Sequence, residues 1–150
     1  TCLSEKLVHS SQRLSPKQLW YSFSSIAIDP INENAIWISF ADNMLDGSHK
    51  VAFHPNTKDF TSRSKWIYLD NGLPDFPVNK IEVDPKTGFL YAATDVGVYV
   101  NRNPKEASEV WLCFNKSFPV VKVTDIEIDR DQIYVSTYGR GIWKAQVLKQ

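Results

Sequence analysis

The sequence lacks the features that mark several common classes of protein. Its 17 Lys and Arg residues balance 17 Asp and Glu residues, so no net field attracts it to nucleic acid or anionic lipid. No apolar run is long enough to span a membrane. The histidines, His9, His49 and His54, are too scattered to suggest a metal site. We therefore expect no nucleic-acid partner, no membrane insertion, no metal and no cofactor.

Cysteine is also scarce. Cys2 and Cys113 are too few to form a disulfide framework. The chain starts at Thr1 and shows no cleavable apolar signal. From this start we expect the chain to be a segment of a longer protein.

Aromatic residues, by contrast, are plentiful. The chain has 5 Trp, 6 Tyr and 8 Phe, and such residues favour a pleated, half-buried surface. No stretch keeps a helical period of apolar residues over several turns. The composition therefore predicts an all-β fold with little helix.

One pattern of short apolar runs recurs along the chain. Each copy opens with an Ile, any residue, an Ile or Val and then an Asp, and the copies begin at Ile26, Ile81 and Ile126. This spacing is close to the roughly 40–50 residues that a four-stranded propeller blade requires. Turn residues such as Asp-Pro and Asn-Gly separate the runs, as expected for short strands. Named A to D from the channel outward, the predicted strands are 26–30, 36–40 and 66–69 (A, B and D of the first copy), 81–85, 90–94, 97–100 and 111–114 (A to D of the second), and 126–130, 133–137 and 141–144 (A to C of the third).

The repeat predicts about three four-stranded antiparallel blades that are part of a larger β-propeller. We place an outer strand of a preceding blade in residues 1–19, complete blades in 20–70 and 71–116, and a last blade without its outer strand in 117–150. The remaining blades, or a second copy of the chain, are the expected partners. Because Cys2 and Cys113 then lie at equivalent places two blades apart, we expect both to be free, buried thiols.

Two stretches resemble the repeats of Asp-box (BNR-type) β-propellers. They lie in 71–99 and 123–143, and the second ends Ser-Thr-Tyr-Gly-Arg-Gly-Ile-Trp. The resemblance as a whole covers about residues 20–146. Such repeats occur in xyloglucanase-like glycoside hydrolases, sortilin-like receptors and secreted bacterial surface proteins, and this ending resembles the last blade of bacterial members. The Asp-box motif itself is degenerate in this chain. The resemblance implies the fold and a secreted or cell-surface location, and no particular activity.

On this resemblance we expect a non-catalytic recognition or scaffold propeller that binds glycan or protein through the loops at the channel mouth. The alternative is a fragment of a xyloglucanase-like glycoside hydrolase. A sortilin-like peptide receptor is disfavoured because the sequence has no cysteine-rich module. Hydrolysis requires two carboxyl groups about 5–9 Å apart. The mouth loops supply Asp42, Asp46, Asp75, Asp95 and Asp125, but none of them stands in a catalytic motif.

The candidate ligand-binding residues are Asp42, Asp46, Asp95, Tyr138 and Arg140, and the catalytic residues stay unassigned. Each of the five lies in a predicted loop between strands B and C. A tyrosine ring and a planar guanidinium group suit a sugar or peptide ligand. Alternatively, the Gly-flanked Arg140 tightens its turn and pairs with a neighbouring acid.

Other recurring residues predict structural roles. Asp29, Asp84 and Asp129 follow or end an A strand, where a carboxylate can accept backbone N–H groups of the next turn. Trp66 and Trp111 share one repeat position, which indicates packing between blades.

Overall fold

The computed structural model of the protein describes residues 22–41, 49–58, 65–114 and 118–149, and the structure of this part is all-β. It contains no helix long and apolar enough to cross a membrane. The strands of this part are β1 (Phe23–Ile28), β2 (Ile36–Phe40), β3 (Val51–His54), β4 (Ile67–Tyr68), β5 (Val78–Val83), β6 (Leu90–Thr94), β7 (Gly97–Asn101), β8 (Leu112–Cys113), β9 (Val123–Asp129), β10 (Gln132–Thr137) and β11 (Ile142–Gln146).

The strands form three antiparallel sheets whose order follows the chain. The first sheet is β1-β2-β3-β4, the second is β5-β6-β7-β8, and the third, in the described residues, is β9-β10-β11. Neighbouring sheets meet through their first strands, since β5 contacts both β1 and β9. This arrangement confirms the predicted all-β fold of propeller blades, with the A strands innermost.

Each first strand carries a β-bulge at its second residue. Ser24, Asn79 and Thr124 are the residues skipped when β1 pairs with β2, β5 with β6, and β9 with β10. A bulge leaves the extra residue out of the ladder and increases the local twist. The shared bulge fixes one structural alignment of the three sheets, in which Ile26, Ile81 and Ile126 are equivalent.

The apolar core lies between sheets. The first cluster joins Trp37 and Phe53 of the first sheet to Ile81 and Leu90 of the second. The second cluster continues across the next boundary, from Tyr91 and Val100 to Ile126 and Ile133. Each sheet is therefore stabilised largely by its neighbour, as in other repeat proteins.

The exposure of the equivalent A-strand residues shows that each sheet is covered on this side by the sheet that precedes it in the chain. Ile81 and Ile126 are fully buried because a preceding sheet covers each of them, whereas the equivalent Ile26 is 65% exposed.

Equivalent aromatic residues on the second strands form hydrogen bonds across the boundaries between sheets. The indole N–H of Trp37 donates to the Pro104 carbonyl at 2.6 Å. The hydroxyl of Tyr91 accepts a hydrogen bond from the backbone N–H of Leu148 at 2.9 Å.

Two of the three predicted turn acids act as expected. The buried Asp29 accepts the backbone N–H of Ile31 at 2.9 Å. The buried Asp84 accepts the N–H of Lys86 at 3.0 Å. The prediction is wrong for Asp129, whose side chain is exposed and lies 4.0 Å from Arg130 Nε. Its hairpin is tighter, because Asp129 pairs directly with Gln132.

The prediction of buried thiols is wrong for Cys113, which is free but exposed. The residue lies on β8, the short outermost strand of the second sheet, and both residues of that strand are exposed. Cys2 and the outer strand expected in residues 1–19 lie outside the described residues.

Candidate functional site

The predicted mouth loops meet at one end of the sheets. Successive strands are antiparallel, so the links from β2 to β3, β6 to β7 and β10 to β11 emerge at the same end as the links that lead into β5 and β9. Contacts between these loops support that placement. The backbone N–H of Tyr138, after β10, donates to the carbonyl of Lys122, just before β9, at 2.9 Å.

The turn from Tyr138 to Gly141 has a firmly held backbone. Gly139 and Gly141 both adopt positive φ, 77° and 74°, which glycine reaches at little steric cost. The Gly141 carbonyl accepts hydrogen bonds from Thr137, through its backbone N–H at 3.1 Å and its hydroxyl at 2.7 Å. The indole N–H of Trp143 donates to the Arg140 carbonyl at 2.9 Å. The turn is therefore fixed by bonds that leave the side chains of Tyr138 and Arg140 uninvolved.

Both of those side chains face solvent. Tyr138 is 77% exposed, and Arg140 is exposed beside it. The ion pair that the alternative interpretation gives to Arg140 is not formed with any acid in the described part of the chain. The turn is tightened by the carbonyl of Arg140, and its guanidinium is directed to no described carboxylate.

Asp95 differs from this pair because its carboxylate is already engaged. One oxygen lies 2.8 Å from the side-chain nitrogen of Asn79 and 3.1 Å from Lys122 Nζ. The same Asn79 nitrogen donates to the Val123 carbonyl at 2.8 Å. Asp95 therefore belongs to a polar connection between the second and third sheets.

The other described mouth acids also have lysine partners. Asp75 lies 2.9 Å from Lys50 Nζ, whose side chain is only 5% exposed. Asp125 lies 3.8 Å from Lys80 Nζ. Asp42 and Asp46 lie outside the described residues. Each described candidate acid is thus placed beside a lysine.

A group of acids on the innermost strands was missed by sequence reasoning. Burial raises the pKa of Glu82, and the negative charges of Glu127 and Asp125 raise it further, while Lys80 acts in the opposite direction. The signal was present, because Glu82 and Glu127 occupy the same repeat position. The electrostatic effect of Glu127 on Glu82 depends on how the sheets pack, which the repeat alone does not give.

A histidine–carboxylate pair at the mouth was also missed. His49 Nδ1 lies 2.6 Å from Asp70 Oδ2, and its ring stacks on Tyr68 with 3.4 Å between centroids. The other oxygen of Asp70 accepts the backbone N–H of Lys50 at 2.7 Å. This pair fixes the last residues before β3. No group of three or more potential metal ligands occurs in the described residues.

Comparisons with known proteins support the fold and leave the activity open. The solved structure of a gluconolactonase from Xanthomonas campestris, described as important in glucose secondary metabolic pathways, is similar to this chain with a TM-score of 0.56 and 15% sequence identity. The match covers 81% of this chain and 36% of that enzyme, so the chain spans about a third of its length. No family model and no curated protein matches the sequence.

Proposed function

We propose that this chain is a non-catalytic recognition or scaffold unit, whose mouth binds a glycan or a protein segment through Tyr138 and Arg140. The observation that carries the proposal is the exposed side-chain pair on a turn whose backbone is fixed by other bonds. A ligand that binds there needs to order only two side chains, so the entropic cost of binding is small. A tyrosine ring offers a flat apolar face, and the guanidinium offers a fork of donors.

The contacts of the carboxylates favour recognition over hydrolysis. A glycoside hydrolase needs one acid that keeps its proton and a second that acts as nucleophile or base. Asp75, Asp95 and Asp125 each lie in an ion pair with a lysine, so each of these carboxylates is already engaged by a partner within the protein. The alternative, a fragment of a xyloglucanase-like hydrolase, therefore has less support from the described mouth.

The finer family assignment and the setting belong to the same proposal. The likeness of 71–99 and 123–143 to Asp-box repeats favours a secreted or cell-surface propeller. We extend the proposal to the blade limits 20–70, 71–116 and 117–150, with further blades or a second copy as partners. In this setting the mouth turn would stand beside loops supplied by those neighbours.

Binding to a microarray of plant and bacterial oligosaccharides, followed by calorimetry on each hit, tests the proposal. Tyr138→Ala and Arg140→Ala should each weaken binding at least about tenfold, the loss expected for a central contact. Tyr134→Ala and Arg130→Ala are matched controls, because both residues are exposed and lie away from the mouth turn. Equal binding by all four variants would contradict the proposed site.

Catalysis is tested separately with the same chain. Release of reducing ends from soluble xyloglucan and β-glucan should stay at the level of a buffer blank. Turnover that Asp95→Asn abolishes, in a variant with unchanged unfolding behaviour, would overturn the non-catalytic proposal.

A further inference from the structure

An apolar groove of about 620 Å³ lies between the outer parts of the second and third sheets. Leu112, Cys113 and Phe114 line it on one side, and Val135 and Trp143 line it on the other. It adjoins the mouth turn through Trp143, whose indole N–H bonds to the Arg140 carbonyl, but the recognition proposal above uses the side chains of Tyr138 and Arg140 and not the groove.

The same place between the first and second sheets is filled. There Trp111 packs into the first core cluster against Val51, Phe53 and Leu69, and it is only 3% exposed. Its indole N–H donates to the Leu69 carbonyl at 2.6 Å. Trp111 thus fills the outer part of the boundary between the first and second sheets.

The pairing registers make the two boundaries equivalent. The backbone N–H of Leu69 donates to the carbonyl of Val51 at 2.9 Å. The backbone N–H of Phe114 donates to the carbonyl of Val98 at the same distance. Leu69 therefore corresponds to Phe114, and the carbonyl that Trp111 uses at the first boundary corresponds to the carbonyl of Phe114 at the second. Trp143 lines the opposite wall from β11, but its indole N–H bonds to the Arg140 carbonyl, and no other tryptophan of the described residues lines the groove.

The edge next to the groove is a strand without an outer neighbour in the described part of the chain. The third sheet ends at β11, and every residue of β11 is exposed. In the second sheet the equivalent strand, β7, pairs with β8 through Tyr99 and Cys113 and through Val100 and Leu112. An open edge of this kind can accept another strand.

We propose that the groove binds an extended peptide of the form Trp-x-x-apolar, which pairs with β11 as a fourth strand. Its tryptophan fills the groove and donates its indole N–H to the carbonyl of Phe114. The occupant follows from the chain's own chemistry, because Trp66 to Leu69 and Trp111 to Phe114 have this pattern, with β4 and β8 as their two central residues. The groove also continues the second core cluster, to which Phe114 and Phe118 already belong.

The probe is an acetylated, fluorescein-labelled peptide, Lys-Trp-Ile-Tyr-Leu-Asp, which repeats residues 65–70. Fluorescence anisotropy with the whole 150-residue chain should show saturable binding. A peptide with Ala in place of Trp should bind at least about tenfold more weakly, since a buried tryptophan anchor typically contributes that much or more. Equal affinities for the two peptides would overturn the proposal.

Variants of the protein locate the site. Leu112→Glu places a charge in the groove at a residue that is 46% exposed, and it should abolish binding. Ile31→Glu is the matched control, because Ile31 is 84% exposed in the turn between β1 and β2 of the first sheet, and it should bind the peptide as the parent does. Similar affinities for both variants would overturn the proposed location, and far-ultraviolet circular dichroism checks that each remains folded.

Cys113 offers a second, independent measurement. In a Cys2→Ser chain, alkylation by iodoacetamide reports on this exposed thiol in the wall of the groove. Saturating peptide should slow the reaction, and the Ala-substituted peptide at the same concentration should slow it less. An unchanged rate with bound peptide would show that the peptide binds elsewhere.

Discussion

Asn79 donates a hydrogen bond from its side-chain amide to the backbone carbonyl of Val123, 2.8 Å away, across the boundary between two sheets. Ser24 makes the equivalent bond one boundary earlier, from its hydroxyl to the carbonyl of Val78 at 2.5 Å. Both donors are the bulged residues of their strands. The bulge thus turns a side chain out of the ladder and towards the first residue of the next sheet.

This connection predicts a cost for Asn79→Ala. The variant loses the bond to Val123 and the bond to Asp95, and a partly buried carbonyl is left without its donor. The free energy of unfolding should fall by about 1–3 kcal/mol, measured by urea denaturation.

Thr124→Val is the matched control at the same position of the third sheet. The Thr124 hydroxyl bonds only to Ser136 of its own sheet among the described residues, and it is exposed. Its removal should change stability by less than about 0.5 kcal/mol. A similar loss in both variants would show that the bulge, and not the contact across the boundary, is responsible.

Trp111→Phe should be one of the most damaging conservative changes in the chain. The indole is buried at the boundary of the first two sheets, and its N–H bonds to Leu69. Phenylalanine is smaller and leaves that carbonyl unpaired, so we expect a loss of about 2–4 kcal/mol in the free energy of unfolding.

Trp143→Phe removes a comparable hydrogen bond, to Arg140, from a side chain that is 39% exposed. Because water can replace the lost donor, the cost should be below about 1 kcal/mol. Equal costs would mean that burial of Trp111 contributes little.

These relationships show what the sequence could and could not predict. β2 and β6 match their predicted limits, because inner strands buried on both faces appear as continuous apolar runs. The outer strands were predicted too long, since β4 and β8 pair over only two residues each.

The bulges could not be read from the sequence, because Ser24, Asn79 and Thr124 share no residue type that marks one. For the candidate site, the repeat placed Tyr138 and Arg140 in the last turn. The lysine beside Asp95 comes from another sheet, so that contact depends on packing and not on local pattern.

Asp29 should make stability depend on pH in the acidic range. Burial would raise its pKa, but a hydrogen bond from Lys105, backbone N–H groups of Ile31 and Asn32, and the charge of Lys105 together hold its pKa below the ordinary value. A lowered pKa in the folded state adds stability that is present above the pKa of the unfolded chain, about 3.9, and is lost as pH falls through the folded value. Asp29→Asn should therefore be less stable than the parent at pH 7, with a difference that narrows towards pH 3.

Asp131→Asn serves as the control for that pH profile. The hydrogen bond from Lys86 lowers the pKa of Asp131 as well, but both side chains are largely exposed. Solvent and salt screen such a pair, so the difference from the parent should be smaller and should vanish in high salt. Unfolding curves at several pH values, with and without added salt, separate the two cases. A pH-independent effect of Asp29→Asn would contradict the assigned role of the Asp29 charge.

Gly72 lies where both the backbone conformation and the space around it require glycine. Its φ is 84°, and an added Cβ would lie 2.7 Å from Val110 Cγ1 and 3.0 Å from the Trp111 carbonyl oxygen. Gly72→Ala should therefore lower the free energy of unfolding by about 2–4 kcal/mol, through backbone strain and overlap together. Gly139→Ala separates the two causes, because Gly139 has a similar φ of 77° and open space around it. That variant should show strain alone, about 1–2 kcal/mol.

The overlap at Gly72 can also be relieved directly. Val110→Ala removes the nearest atom, and Val110 is 46% exposed, so this change alone should cost little. In the background of Val110→Ala, the penalty of Gly72→Ala should shrink towards that of Gly139→Ala, and a double-mutant cycle measures the difference. If the loss of unfolding free energy is undiminished, the remaining steric overlap is with the carbonyl of Trp111. The turn at Gly72 then packs directly against the residue that fills the boundary between the first two sheets.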